Sequence, residues 1–217
     1  MRAELNADRD TVPAQGADLR GAERFTLMIR MAKLLCASGE FLCVIRDVSE
    51  TGVRLRLFHA LPGDPRMALE LGNGEIYFVE RVWERDGHAG FRFAAPIAVC
   101  AFIAEASPFP RRQMRLRIAF PALVTAAGVA GPVEVQDLST QGARIVCDRF
   151  LAIGQPVRLE ADKFPKIFAK VAWRSGSDYG LAFEQVFAFE ALALLAADLQ
   201  GLGSRGLATL QRQALAS

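Results

Sequence analysis

Long apolar runs are missing from this chain. The longest, residues 93–104, contains Pro96 and is too short to cross a bilayer as a helix. Metal-ligand spacing is missing as well. The cysteines Cys36, Cys43, Cys100 and Cys147 stand singly among apolar neighbours, and there are only two histidines, His59 and His88. The cysteines are expected as buried free thiols in a reducing compartment, and the histidines as surface or turn residues. No serine or cysteine nucleophile stands with a base at a recurring position, and no Gly-rich nucleotide loop occurs, so catalysis has no signature here. An apolar signal-peptide core is absent from the N-terminus. Net charge is only +2, which argues neither for nor against a nucleic-acid partner. Together these absences predict a cytoplasmic protein that is not an enzyme, with no cofactor, no metal and no membrane span. Lysine is scarce too: 22 of the 26 basic residues are arginine, whose planar fork suits phosphate and the N7/O6 edge of guanine.

What is present is a repeat. Asp47-Val48-Ser49-Glu50-Thr51-Gly52 and Asp137-Leu138-Ser139-Thr140-Gln141-Gly142 share the pattern Asp-x-Ser-x-x-Gly, 90 residues apart. Asp and Ser side chains hold a turn, and Gly is expected to supply a positive φ there. Trp83 and Trp173, Gly90 and Gly180, and Phe93 and Phe183 keep the same offset of 90, while Arg20 and Arg24 are matched by Arg111 and Arg115 at 91. A single Asp-x-Ser-x-x-Gly is usually a plain hairpin corner. An arginine pair, a polar turn and a Trp strand in the same order twice mark a duplicated domain, with a period too long for a solenoid unit. The length of 217 residues suits two small domains.

The boundaries follow from composition. Residues 1–19 are expected as a flexible leader, 20–105 as the first domain, 106–110 as a Pro-rich connector, 111–200 as the second domain and 201–217 as a tail. Strands are predicted at 25–35, 41–46, 53–57, 67–71, 75–84 and 89–93, with hairpin signals at Gly72-Asn73-Gly74 and Arg85-Asp86-Gly87. The second half repeats them at 117–125, 133–136, 143–147, 156–160, 167–174 and 179–183. Helices are predicted at 96–105 and 187–200, with a short helix or frayed tail at 207–216. Many short strands with turn chemistry between them indicate an all-β fold with accessory helices, built as small barrels. Trp83 and Trp173 read as core residues.

The repeated polar groups carry the chemistry. Two arginines four apart ahead of a strand offer ten N–H donors, Asp accepts from a guanine edge, and Ser donates or accepts. An Arg-x-x-x-Arg alone is usually a solvated stretch. Its recurrence with the Asp-Ser-Gly turn favours a ligand bearing guanine and phosphate. At these residues both halves resemble the PilZ domain: Arg-x-x-x-Arg, then Asp-x-Ser-x-x-Gly, then a Trp strand and Gly-x-x-Phe. The resemblance implies two tandem six-stranded antiparallel β-barrels, each followed by a helix, that bind cyclic di-GMP. By position it implies that Arg111 and Arg115 grip guanine and phosphate, Arg112 adds a phosphate contact, Asp137 and Ser139 read a guanine edge, and Gly142 admits close backbone approach. Arg20, Arg24, Asp47, Ser49 and Gly52 take these roles in the first half, where Gly21 stands in place of the further arginine.

The expected function is a cyclic di-GMP receptor that signals to an unidentified protein partner by inter-domain rearrangement. The rival readings are a protein-interaction adaptor on the same barrels with weak or no nucleotide binding, and a small-barrel binder of single-stranded nucleic acid. The last would need several exposed aromatics and a basic groove, so nucleic acid is not expected as a partner.

Overall fold

A computed structural model describes residues 25–64, 66–104 and 113–202. The expectations for the leader, for Arg20, Arg24, Arg111 and Arg112, for the connector and for residues 203–217 lie outside these. Twelve strands and two short helices are described. The first barrel comprises β1 (Phe25–Cys36), β2 (Gly39–Val48), β3 (Gly52–Arg56), β4 (Arg66–Glu70), β5 (Ile76–Arg85) and β6 (His88–Phe93), followed by α1 (Val99–Ala104). The second comprises β7 (Leu116–Ala126), β8 (Val129–Ser139), β9 (Gly142–Val146), β10 (Pro156–Ala161), β11 (Phe164–Ser175) and β12 (Asp178–Phe183), followed by α2 (Phe189–Leu199). Both close, in the orders β1-β2-β3-β6-β5-β4 and β10-β11-β12-β9-β8-β7, and every pairing is antiparallel. Closure leaves no edge strand unpaired.

Period-two patterning builds each barrel. Along β7, Leu116, Ile118, Phe120, Ala122, Val124 and Ala126 are buried, while Arg117, Ala119, Pro121 and Leu123 face out. Asp86-Gly87 turns with φ of 51° and 68°, the positive pair that a two-residue hairpin needs. β8 begins four residues ahead of its predicted start, despite Pro132. Residues 129–133 pair with β7 but not with β9, so a proline there need not donate to a second ladder. The first helix is shorter than predicted, starting at Val99 rather than Pro96.

The two barrels pack against each other. Leu42, on the outward side of β2, belongs to the second core, and Ala197 of α2 belongs to the first. The Gln200 side chain closes the seam: its Oε1 accepts from the Glu40 N–H at 2.9 Å, and its Nε2 donates to the Glu40 and Ala196 carbonyls. Gly39 has a φ of 143°, which side chains rarely adopt, and a Cβ there would come within 1.9 Å of that Oε1 and push the Gln200 amide out of the seam.

Lys33 lies in the same seam, 4% exposed. Its Nζ pairs with Glu40 Oε2 at 2.8 Å and Glu70 Oε2 at 3.3 Å, and donates to the Arg115 carbonyl at 2.9 Å. Glu40 Oε2 also accepts the Arg117 N–H at 2.9 Å. A buried cation is tolerable only when held like this.

Candidate functional site

The Asp-Ser-Gly motif makes the β2–β3 corner in the first barrel and the β8–β9 corner in the second. Ser139 is 1% exposed, and its hydroxyl donates to the Gly142 carbonyl at 3.2 Å. Ser49 does the same to Gly52 at 3.3 Å. Both serines therefore hold the turn. Neither motif glycine has a positive φ, which corrects the conformational expectation. Glycine is needed because a Cβ at Gly142 would lie 2.2 Å from the Leu181 carbonyl oxygen, and one at Gly52 would lie 2.7 Å from that of Phe91. The close approach here is by the next strand.

Asp137 ends the inward run of β8 on the outer wall and meets Arg115, which immediately precedes β7. Arg115 Nη1 donates to Asp137 Oδ1 at 2.5 Å, with the guanidinium 45% exposed and the carboxylate 16%. The structure thus joins the second arginine of Arg-x-x-x-Arg to the aspartate of the corner across 22 residues. In the first barrel Asp47 pairs with Arg54 Nε, also at 2.5 Å. The counterpart of Arg54 is Arg144, which bonds Asp178 Oδ1 at 2.8 Å. His88 occupies the position matching Asp178, so Arg54 has no such alternative and turns to Asp47.

Cross-strand register extends the site. Arg117 pairs with Asp137, Asp137 with Arg144, Arg144 with Gly180, and Gly180 with Trp173. Directly paired residues share a face, so these five form a row across the outer wall. Trp173 is 40% exposed and Trp83 36%, which overturns their reading as core. Each indole lies over a glycine, with Nε1 within 2.1 Å of where a Cβ would stand on Gly90 or Gly180. Arg144 and Trp173 were not foreseen as part of the site. The signal was present, because Arg54 and Arg144 keep the same offset of 90 and each follows the motif glycine by two.

Other expected features divide. Cys43 and Cys147 are buried, and burial pushes the Cys43 thiol well up. Cys36 is only partly covered and Cys100 is exposed, so buried thiols describe half the set. His59 packs its ring 4.8 Å from Phe41. Desolvation lowers its pKa against the opposing pull of the Ala60 carbonyl and Glu84. Among the described residues no group of His, Cys, Asp and Glu could hold a metal ion, and no helix is long and apolar enough to cross a membrane.

Solved structures similar over most of the chain include three with c-di-GMP bound. PlzA of Borreliella burgdorferi, in complex with c-di-GMP, is 14% identical with a TM-score of 0.33, covering 85% of this chain and 96% of its own. MrkH of K. pneumonia in its c-di-GMP complex is 14% identical, with a TM-score of 0.30 and coverages of 85% and 88%. YcgR of Escherichia coli, also in complex with c-di-GMP, is 11% identical, with a TM-score of 0.28 and coverages of 85% and 85%. No curated protein matches the chain. Residues 109–197, which span the whole second barrel and most of α2, match the PilZ domain. The second barrel is thus similar to the PilZ domain, and the match does not extend to the first.

Proposed function

We propose that the chain is a non-enzymatic cyclic di-GMP receptor whose main site is on the second barrel. The observation that carries this reading is the Arg115–Asp137 pair, a half-exposed cation and a carboxylate held together on the wall of a PilZ barrel. Arg115 is free to leave its exposed pair for a phosphate or a guanine N7/O6 edge, which uncovers Asp137 to accept from guanine N1–H and N2. Arg111 and Arg112 add charge from the preceding segment. Ser139 and Gly142 contribute by fixing the corner that aims Asp137. Arg144 and the Trp173 indole border the site along the row described above. The first-barrel set, Arg20, Arg24, Asp47, Ser49 and Gly52, makes a weaker site, since Gly21 lacks the further arginine and Asp47 must first be released by Arg54.

Transmission follows from the Arg115 backbone. Its carbonyl is held by Lys33, and two residues on the Arg117 N–H is held by Glu40, both from the first barrel. A ligand that pulls the arginine arm onto the second barrel acts on the seam between the barrels as well. It shifts their arrangement only as far as it binds the displaced arm better than the resting one. The two units, residues 20–105 and 111–200, then present an altered joint surface to a cytoplasmic protein partner.

Calorimetry of the full chain with cyclic di-GMP tests the reading. Arg115→Ala and Asp137→Ala are each expected to weaken binding by about ten- to a hundredfold, from the roughly 1.5–3 kcal/mol of a lost charge-assisted bond. Asp47→Ala is expected to leave the tighter site intact. If Arg115→Ala and Asp137→Ala both bind like the parent chain, the site is elsewhere and the reading fails.

A further inference from the structure

The chain carries four lysines, and three of them, Lys163, Lys166 and Lys170, fall within eight residues of the β10–β11 hairpin. Lys166 and Lys170 alternate on the outer face of β11 with Phe168, which is 59% exposed. Steps of two residues keep all three on one face, roughly 6.6 Å apart. The segment between β9 and β10 extends this face. Gly154 donates to the Val171 carbonyl at 2.7 Å and Gln155 accepts the Val171 N–H, which brings the 69% exposed Ile153 alongside β11. Phe150, 67% exposed, lies beneath the Arg174 guanidinium, 4.7 Å from ring centroid to carbon. The outer wall therefore holds Phe168 between Lys166 and Lys170 with Ile153 beside them, while Arg174, paired with the buried Tyr179 beyond the β11 bulge, stacks on Phe150 at the adjoining end of the barrel.

The duplicated barrel is an internal reference for this wall. Phe78, 71% exposed, matches Phe168 at the offset of 90, but Ile76, Glu80 and Glu84 stand where the second barrel has Lys166, Lys170 and Arg174. The cations are a property of the second barrel alone. The acidic groups bordering the wall are Glu160, paired with Lys166 at 3.7 Å and with Arg158 at 3.4 Å, and the exposed Glu184. Lys170 has no acid paired with it among the described residues.

We propose that this β11 wall docks on the surface of an anionic lipid bilayer, with Phe168 and Ile153 entering the interface and Lys166 and Lys170 meeting lipid phosphates. Apolar tips ringed by cations suit the boundary between acyl chains and headgroups. Lysine suits a headgroup because it meets phosphate as a point charge on a flexible stem. A single strand of nucleic acid asks for open aromatic faces along a groove. This wall is the outside of a closed barrel, Ile153 offers no stacking face and Arg174 covers that of Phe150. In the ring of six strands β11 stands opposite β8, so a docked barrel turns Asp137 away from the lipid and leaves Trp173, beyond the β11 bulge, at the border between the two faces.

Flotation of the full chain with vesicles of phosphatidylglycerol and phosphatidylcholine, against phosphatidylcholine alone, tests the assignment. Retention is expected on the anionic vesicles only, falling as salt rises. Lys166→Ala and Lys170→Ala should each lower partitioning by about fivefold. Phe168→Ser should release the protein, and Phe78→Ser on the first barrel should bind like the parent chain. The exposed positions keep these variants folded, which their melting curves check. Failure to float with anionic vesicles, equal retention on neutral ones, or equal loss in Phe78→Ser and Phe168→Ser overturns the proposal. So does binding to a single-stranded oligonucleotide that is lost in Phe168→Ser while vesicles are not bound.

Discussion

Replacing Glu40 with alanine removes the carboxylate that serves both barrels. Its Oε2 takes the Lys33 ammonium at 2.8 Å and the Arg117 N–H at 2.9 Å. Breaking a buried pair by deleting one partner costs about 3–5 kcal/mol, because the remaining charge is left buried. Lys33 is 4% exposed but keeps Glu70 at 3.3 Å and the Arg115 carbonyl at 2.9 Å, which places the loss at the lower end, about 3 kcal/mol. Against a total stability of about 5–15 kcal/mol for an ordinary domain that is a large fraction. Each barrel holds one tryptophan, so Trp83→Phe and Trp173→Phe backgrounds report separately on the second and first barrels during guanidinium unfolding. The parent chain is expected to give coincident transitions, and Glu40→Ala to lose about 3 kcal/mol and pull the two apart. Lys33→Met combined with Glu40→Gln removes the charge together with its partner and should recover most of the loss. Stability within about 0.5 kcal/mol of the parent in Glu40→Ala, the scale of an ordinary surface substitution, would show that the seam does not depend on this carboxylate.

Gly142→Ala puts a methyl 2.2 Å from the Leu181 carbonyl oxygen and is expected to cost about 1–3 kcal/mol in thermal unfolding through forced backbone movement. Gly131→Ala, whose nearest neighbour would be the Arg149 guanidinium at 3.7 Å, is its near-neutral control. His59 has its pKa lowered by desolvation from an ordinary value of 6.5, so below that value the unfolded chain binds more protons than the folded one. Stability is therefore full above about pH 7 and falls as the pH drops from 6.5 toward the lowered folded value. His59→Phe should flatten that part of a stability–pH profile; an unchanged slope would assign it to other groups.

The strands were legible wherever alternation was clean. Residues 53–57 read as a half-buried strand from alternation alone, and along β3 Val53 and Leu55 are buried while Arg54 and Arg56 are exposed. Misreadings arose where tertiary contact overrides local preference. Trp83 and Trp173 were assigned to the core because a tryptophan in a barrel strand is usually buried, but a glycine across the ladder gives each indole a flat seat on the outside. The motif glycines were assigned a positive φ because turns often need one, whereas the constraint is a carbonyl of a strand some 40 residues further on. Asp137 and Arg115 were legible as a pair of functional groups because the duplication repeats them. The seam was not. Lys33, Glu40 and Gln200 are unique to their positions, their counterparts in the other half differ, and no repeat marks a contact between unlike copies.

The exchange of Leu42 and Ala197 between the cores has a consequence for synthesis. The first barrel leaves the ribosome with its β2 flank bare, and the helix that covers it is 155 residues behind. At about 5–20 residues per second that interval is about 8–30 s, long compared with the folding of a small barrel. During it the nascent chain presents Leu42 and a Lys33 ammonium without Arg115 to hold. Completion of α2 is therefore the event that matures the first barrel, and translation pauses near its codons would lengthen the time for which a folded but unfinished surface is open to other nascent chains.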